Sequence, residues 1–223
     1  MFYHFHPFDP FLNIDTTKII VGTLPPPRFC SKELKKEDVY FQYGSCDNQL
    51  WRVLNKIYDL DLLFDNSIKA IEQREEFLNK YNIGICDIVD SCYREKLDAS
   101  DLGMIDIQLK DILSYLKKYP KIDTVIFTGG LCKNSPEYFF RKILKKQNIK
   151  LHKILENIPK TNQFFFENRT IKTISLTSPS NAANRSIGRN KQYKLKKEKN
   201  NSYTTFDFRV EQYKEVFPNK KAP

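Results

Sequence analysis

Histidine is scarce in this chain of 223 residues: only His4, His6 and His152 occur. His4 and His6 could hold a metal only if a carboxylate joined them, so a metal at these residues is not expected. The five cysteines, Cys30, Cys46, Cys86, Cys92 and Cys132, are odd in number and include no Cys-x-x-Cys pair. That argues against a disulfide framework, a zinc knuckle and an iron–sulfur cluster. Reduced thiols in the cytoplasm are the expectation. No apolar run approaches the length of a membrane span. The opening Met1-Phe2-Tyr3-His4-Phe5-His6-Pro7 has no basic region ahead of an apolar one, so a secretory signal is not expected. There is no internal repeat.

Positive charge, by contrast, is abundant. Lys and Arg number 37 against 27 Asp and Glu, a net charge of +10, and an excess of that size favours a polyanionic partner, nucleic acid first. Lys, Asn and Ile are enriched together, as a codon bias towards A and T would also produce, so placement of the charge is more informative than its sum. Residues 185–201 concentrate it, with Arg185, Arg189, Lys191, Lys194, Lys196, Lys197 and Lys199 against the single acid Glu198. Such a run is either a solvated loop or a phosphate-contacting segment.

The chain is organised around Lys18-Ile19-Ile20-Val21-Gly22-Thr23-Leu24-Pro25-Pro26-Pro27. A short apolar run closed by Gly and Pro reads as a buried strand ending in a rigid turn. Three further runs share its character: Ile83–Val89, Ile122–Thr128 and Thr170–Leu176. Helical periodicity predicts helices from Gln49 to Ile57, over 68–80, from Leu102 to Leu116, from Pro136 to Gln147 and over 206–217. Residues 1–17, aromatic with two prolines, read as an irregular arm along the sheet edge, and residues 28–42 as an exposed loop. Strands alternating with helices predict an α/β domain over residues 1–223, with a four-stranded parallel sheet flanked by helices on both faces. Ligands bind at the carboxyl ends of such strands, where Gly22, Thr23, Leu24 and Pro25 stand.

Four segments carry a resemblance. They are Gly22-Thr23-Leu24-Pro25; Tyr43-Gly44-Ser45-Cys46-Asp47-Asn48-Gln49-Leu50-Trp51; Gly84-Ile85-Cys86-Asp87-Ile88-Val89 followed by Leu97-Asp98-Ala99-Ser100; and Thr177-Ser178-Pro179-Ser180-Asn181-Ala182. In this order and spacing, across roughly residues 15–217, the chain resembles the uracil-DNA glycosylase superfamily, and most closely its hypoxanthine (deoxyinosine) branch. It departs from that branch at Ser45-Cys46, where His-Pro is usual, and at Leu50, Cys86 and Ser180, which replace Phe, Trp and Ala. The late loop also lacks the catalytic histidine of the well-known uracil enzymes, so chemistry of that kind is not expected and base preference stays open.

The resemblance implies a monomeric, monofunctional DNA glycosylase that hydrolyses the N-glycosidic bond of hypoxanthine or uracil and needs no cofactor or metal. Its partner would be DNA, either double-stranded with the target base flipped out or single-stranded. Its location would be cytoplasmic, on the nucleoid if the source is bacterial. Asn48 would orient the attacking water through its amide carbonyl, although Asn is also a good helix cap. Asp87 would stabilise charge on the sugar or hold the water, or else cap the next turn. Gly22, Thr23, Leu24 and Pro25 would form the wall against the base, since Gly admits close approach. Tyr43 would stack on the base, unless its ring is ordinary packing. Ser178, Pro179, Ser180 and Asn181 would face DNA, with Asn184 and Arg185 entering the gap left by the base and Lys194, Lys196 and Lys197 on phosphates; an ordinary turn is the competing account of that loop. A catalytically silent nucleic-acid-binding protein of the same fold is the alternative.

Overall fold

A computed structural model describes residues 1–156 and 159–219; residues 220–223 of the expected domain lie outside it. In chain order the elements are β1 (Phe2–Phe5), β2 (Lys18–Gly22), α1 (Arg28–Ser31), α2 (Leu50–Tyr58), α3 (Ile68–Lys80), β3 (Ile83–Asp87), β4 (Val89–Arg94), β5 (Met104–Leu109), α4 (Ile112–Lys118), β6 (Thr124–Phe127), α5 (Pro136–Lys146), β7 (His152–Leu155), β8 (Lys160–Phe166), β9 (Arg169–Ser175), α6 (Asn184–Arg189), α7 (Lys191–Lys199) and α8 (Thr205–Val216).

The four apolar runs form β3, β2, β6 and β9, which are neighbours and mutually parallel. The sheet is nevertheless six-stranded and mixed, because β8 and β7 add antiparallel strands beside β9 in the order β3-β2-β6-β9-β8-β7. This corrects the four-stranded parallel sheet expected from the sequence. The added strands lack a continuous apolar run; their signal is the turn. Glu167 and Asn168 sit at φ 48° and 58°, the left-handed pair that a two-residue hairpin requires.

Side chains alternate across β2. Ile20 packs with α2, α3 and α8 on one face, while Ile19 and Val21 pack with α4 and α5 on the other. A central strand buried on both faces reads as an unbroken apolar run for this reason. Trp51 anchors the first layer: its ring is fully buried, meets Phe77 edge-on at 6.0 Å, and its Nε1–H donates to the Gln42 carbonyl at 2.8 Å.

Three other expectations change. Residues 2–5 are not irregular: they pair with β4 in a second sheet of order β1-β4-β5, and Phe11 bridges Ile85 on the edge strand β3. The expected helix from Leu102 to Leu116 is a 3-10 turn, then β5, then α4, which begins where Asp111 accepts a hydrogen bond from the Ser114 N–H. Its apolar spacing fits a helix, but β4 needs an antiparallel partner, and the alternating Ile105 and Ile107 supply one. Residues 28–42 are an exposed loop only in part: Lys32, Lys35 and Lys36 are exposed, but Phe29, Asp38 and Val39 on either side of them are fully buried. Among the described residues no helix is long and apolar enough to cross a membrane.

Gly22 closes β2 for steric reasons. A Cβ at this position would collide with the Tyr43 hydroxyl and the Asp87 carboxylate, both immobilised in the interior. Gly22→Ala is therefore expected to destabilise the fold by about 1–3 kcal/mol, read as a lower midpoint in urea unfolding; an unchanged midpoint would show that the knot at the strand end is loose.

Candidate active site

A cavity of about 510 Å³ opens at the carboxyl ends of β2, β6 and β9, and all four sequence segments supply part of its wall. Thr23 and Leu24 come from the first, Ser45, Asp47 and Asn48 from the second, Ala99 and Ser100 from the third, and Ser178 through Ala182 from the fourth. A second cavity of about 550 Å³ adjoins it, sharing Thr23, Asp101 and Thr128.

The loop carrying Asn48 is fixed from below by a buried carboxylate. Asp38 accepts two hydrogen bonds from the Arg28 guanidinium, at 2.7 and 2.9 Å, and one each from the backbone N–H groups of Lys35 and Cys46. Burial opposes its ionisation, but these donors hold its carboxyl well below the usual carboxylate range. Arg28 also donates to Ser45 Oγ at 2.7 Å and pairs with Asp47 at 3.1 Å. The loop is then joined to the late loop: the Gln49 N–H donates to the Pro179 carbonyl at 2.8 Å, and Asn48 and Ser180 form a β-bridge. From α8, Arg209 donates to the carbonyls of Ser178 and Ser180 at 3.0 and 2.8 Å, and the Tyr213 hydroxyl donates to that of Thr177 at 2.8 Å.

Asn48 is half-buried on the cavity wall. Its Oδ1 accepts from the Leu50 N–H at 2.9 Å, while the cap position of α2 itself falls to Gln49. The turn fixes the amide plane and uses one of the two lone pairs of Oδ1, leaving the other for a water. Local turn and water-orienting group are thus compatible roles for one side chain.

Several expected site residues stand elsewhere. Asp87 is buried behind Gly22 and receives a hydrogen bond from His6 Nε2 at 3.0 Å. Gly22 and Pro25 do not line the cavity; the space beside Gly22 is filled by Tyr43 and Asp87, and Pro26 reaches the wall instead. Tyr43 cannot offer a stacking face, because its ring lies in the core and its hydroxyl bonds to Thr128 Oγ1 at 3.1 Å. His4 has a different partner from His6. Its Nδ1 accepts from Arg94 Nε at 2.7 Å, and burial together with the Arg94 charge pushes the imidazole down to about 4.

The basic segment is helical. Tyr193 packs against Tyr203 and Phe208, seating α7 on α8. There Lys196 pairs with Glu211 and Lys197 donates to the Asn201 carbonyl, so neither is the free phosphate contact expected. Lys194 is exposed, away from the cavity wall. Arg185 is exposed in the first turn of α6, three residues past the wall residue Ala182; Asn184 Oδ1 is buried without a hydrogen-bond partner among the described residues.

Comparison with family models, with curated proteins and with solved structures finds no match to this chain. Function has to be argued from the site.

Two wall residues escaped the sequence reading. Thr128 closes β6 and faces the cavity. Asp101 follows Ser100 by one position, and Thr23 Oγ1 donates to its Oδ2 at 3.2 Å. Burial pushes the Asp101 carboxyl up to about 6, with the Thr23 hydrogen bond and the Arg94 charge limiting the rise. The stretch from Leu97 to Asp101 holds two carboxylates, Asp98 and Asp101, and nothing local singles out the second. Arg28, Asp38 and Arg209 carried no motif.

Because Asp38 is held ionised in the folded state, its stabilising effect is present above the unfolded carboxylate range and lost as pH falls through the folded value. Asp38→Asn is expected to unfold at lower urea than the parent at pH 7, with the gap closing only under acid. A gap that persists unchanged well below the ordinary carboxylate range would mean that the charge is not what holds the loop.

Proposed function

We propose that this protein is a monofunctional DNA glycosylase of the uracil-DNA glycosylase type, hydrolysing the N-glycosidic bond of a deaminated base, hypoxanthine or uracil. The observation that carries the reading is the convergence of four sequence segments, spread along the chain from Gly22 to Ala182, on one cavity with Asn48 on its wall. A base taken out of the duplex needs a pocket with polar edges and a water held against C1′. Thr23, Thr128, Ser178 and Ser180 offer hydroxyls to the base, and the free lone pair of Asn48 Oδ1 suits the water. No step in this scheme calls for a metal. The residues proposed to act are Asn48 on the water and the Ser178–Asn181 loop on the DNA strand.

Purified protein is expected to release hypoxanthine or uracil from oligonucleotides with chelator present, read by alkaline cleavage at the abasic site. Asn48→Ala should slow single-turnover excision by about 10²-fold or more, the scale for a lost positioning group, with folding retained. DNA binding without excision of any lesion at enzyme excess would favour instead a silent nucleic-acid-binding protein of this fold. That alternative draws on the departures at Ser45-Cys46.

Charge placement gives a separate check. Arg185 is exposed close to the wall loop, whereas Lys196 is engaged with Glu211. Arg185→Ala is expected to lower the slope of log affinity against log salt by about one unit, and Lys196→Ala to leave it nearly unchanged. The reverse order would put α7, not the cavity rim, on the phosphates.

A further inference from the structure

We infer that Asp101 is the general acid of the site, delivering a proton to the departing base. This deepens the glycosylase reading and rests on it. Breaking the bond to C1′ leaves an electron pair on the base, and some group must neutralise that charge. Among the described residues no Lys, Arg or His lines the first cavity; its ionisable side chains are Asp47 and Asp101. Two carboxylates would repel a departing anion, so the base has to leave neutral. Asp47 cannot supply the proton, because Arg28 and Lys35 pair with it at 3.1 and 2.8 Å and keep it ionised.

Asp101 is held differently. Thr23 donates to Oδ2, and Oδ1 has no hydrogen-bond partner among the described residues. Its backbone is anchored on both sides: Asn134 Nδ2 donates to the Asp101 carbonyl at 2.9 Å, and Arg94 Nη1 to that of Ser100 at 2.6 Å. The charged groups around it are Arg94 on β4, which also faces Asp98 at 3.8 Å, and Asp87 at the end of β3. Asp47 stands on the wall of the first cavity, and Lys160 and Glu156 line the adjoining one. Of these, Arg94 favours the carboxylate and Asp87 the neutral acid, and burial adds to the second.

The step balances as follows. A proton passes from Asp101 to N7 of the purine as the N9–C1′ bond breaks, and the bond pair stays on the base, which leaves as its neutral N7–H tautomer. The water oxygen bonds to C1′, and its surplus proton returns to the Asp101 carboxylate through solvent. Uracil has no basic ring nitrogen to accept such a proton before cleavage, so the acid serves a purine, and of the two bases proposed above that is hypoxanthine.

The test is single-turnover excision from duplexes carrying deoxyinosine, 7-deaza-2′-deoxyinosine or deoxyuridine, between about pH 5 and pH 8. For deoxyinosine the wild-type rate is expected to fall about tenfold per pH unit above about 6. Asp101→Asn should be about 10²-fold slower or more and independent of pH. The 7-deaza substrate, which lacks the acceptor nitrogen, should be cleaved slowly by wild type and no more slowly by the variant. Wild-type rates or an unaltered pH profile in Asp101→Asn would overturn the assignment, as would 7-deaza excision at the inosine rate. Should the variant not fold, the 7-deaza comparison on wild type decides alone. If wild type excises none of the three lesions, the glycosylase reading itself fails and the acid with it, a result distinct from active wild type with an indifferent Asp101.

Discussion

The hydrogen bond from the Gln49 N–H to the Pro179 carbonyl is the contact on which the site depends. It joins two loops that are far apart in the chain, and it does so beside Asn48, whose bridge to Ser180 lies next in register. Neither loop is stiff alone. Each is held by an arginine: Arg28 under the first, through Asp38, and Arg209 under the second, through two carbonyls. Both guanidiniums spend their donors on fixed acceptors, which suits the planar fork of Arg better than a lysine would. The cavity wall is thus pre-organised by backbone geometry, the condition under which a weak group such as an amide can position a water usefully.

A second layer supports the strand end. Gly22, Tyr43, Asp87, Thr128 and His6 interlock behind the cavity. This packing explains why residues chosen for chemistry turned out to serve structure. A carboxylate at a strand end and a tyrosine in a motif are equally consistent with a ligand contact and with a buried hydrogen bond, and sequence spacing does not distinguish them. Burial does, and burial is a property of the assembled fold.

The four central strands were legible because strands buried on both faces must be apolar throughout. Helices α2, α3, α5 and α8 were legible from their amphipathic period. The antiparallel strands β7 and β8 and the small sheet of β1, β4 and β5 were not, because their strands are partly or wholly exposed and lack an unbroken buried run. Segment 28–42 is a mixed case: Lys32, Glu33, Lys35, Lys36 and Glu37 face solvent, while Arg28 and Asp38 neutralise each other inside. Asp101 went unnoticed because nothing local marks a carboxyl that only the distant Thr23 brings to the wall.

The net charge of +10 is a property of the whole surface, and the structure divides it. Part of the basic segment is engaged with Glu211 and with the chain's own carbonyls, while Arg185 stays exposed beside the cavity loop. Charge counts from sequence therefore overstate the charge left unpaired at the surface. The most direct test of the account is the crystal structure of the protein with a duplex carrying 2′-fluoro-2′-deoxyinosine, whose glycosidic bond resists cleavage. The account predicts the hypoxanthine ring in the cavity, with C1′ facing Asn48 and N7 within hydrogen-bond reach of Asp101. A lesion still stacked in the duplex, or a base lodged away from Asn48, would contradict it.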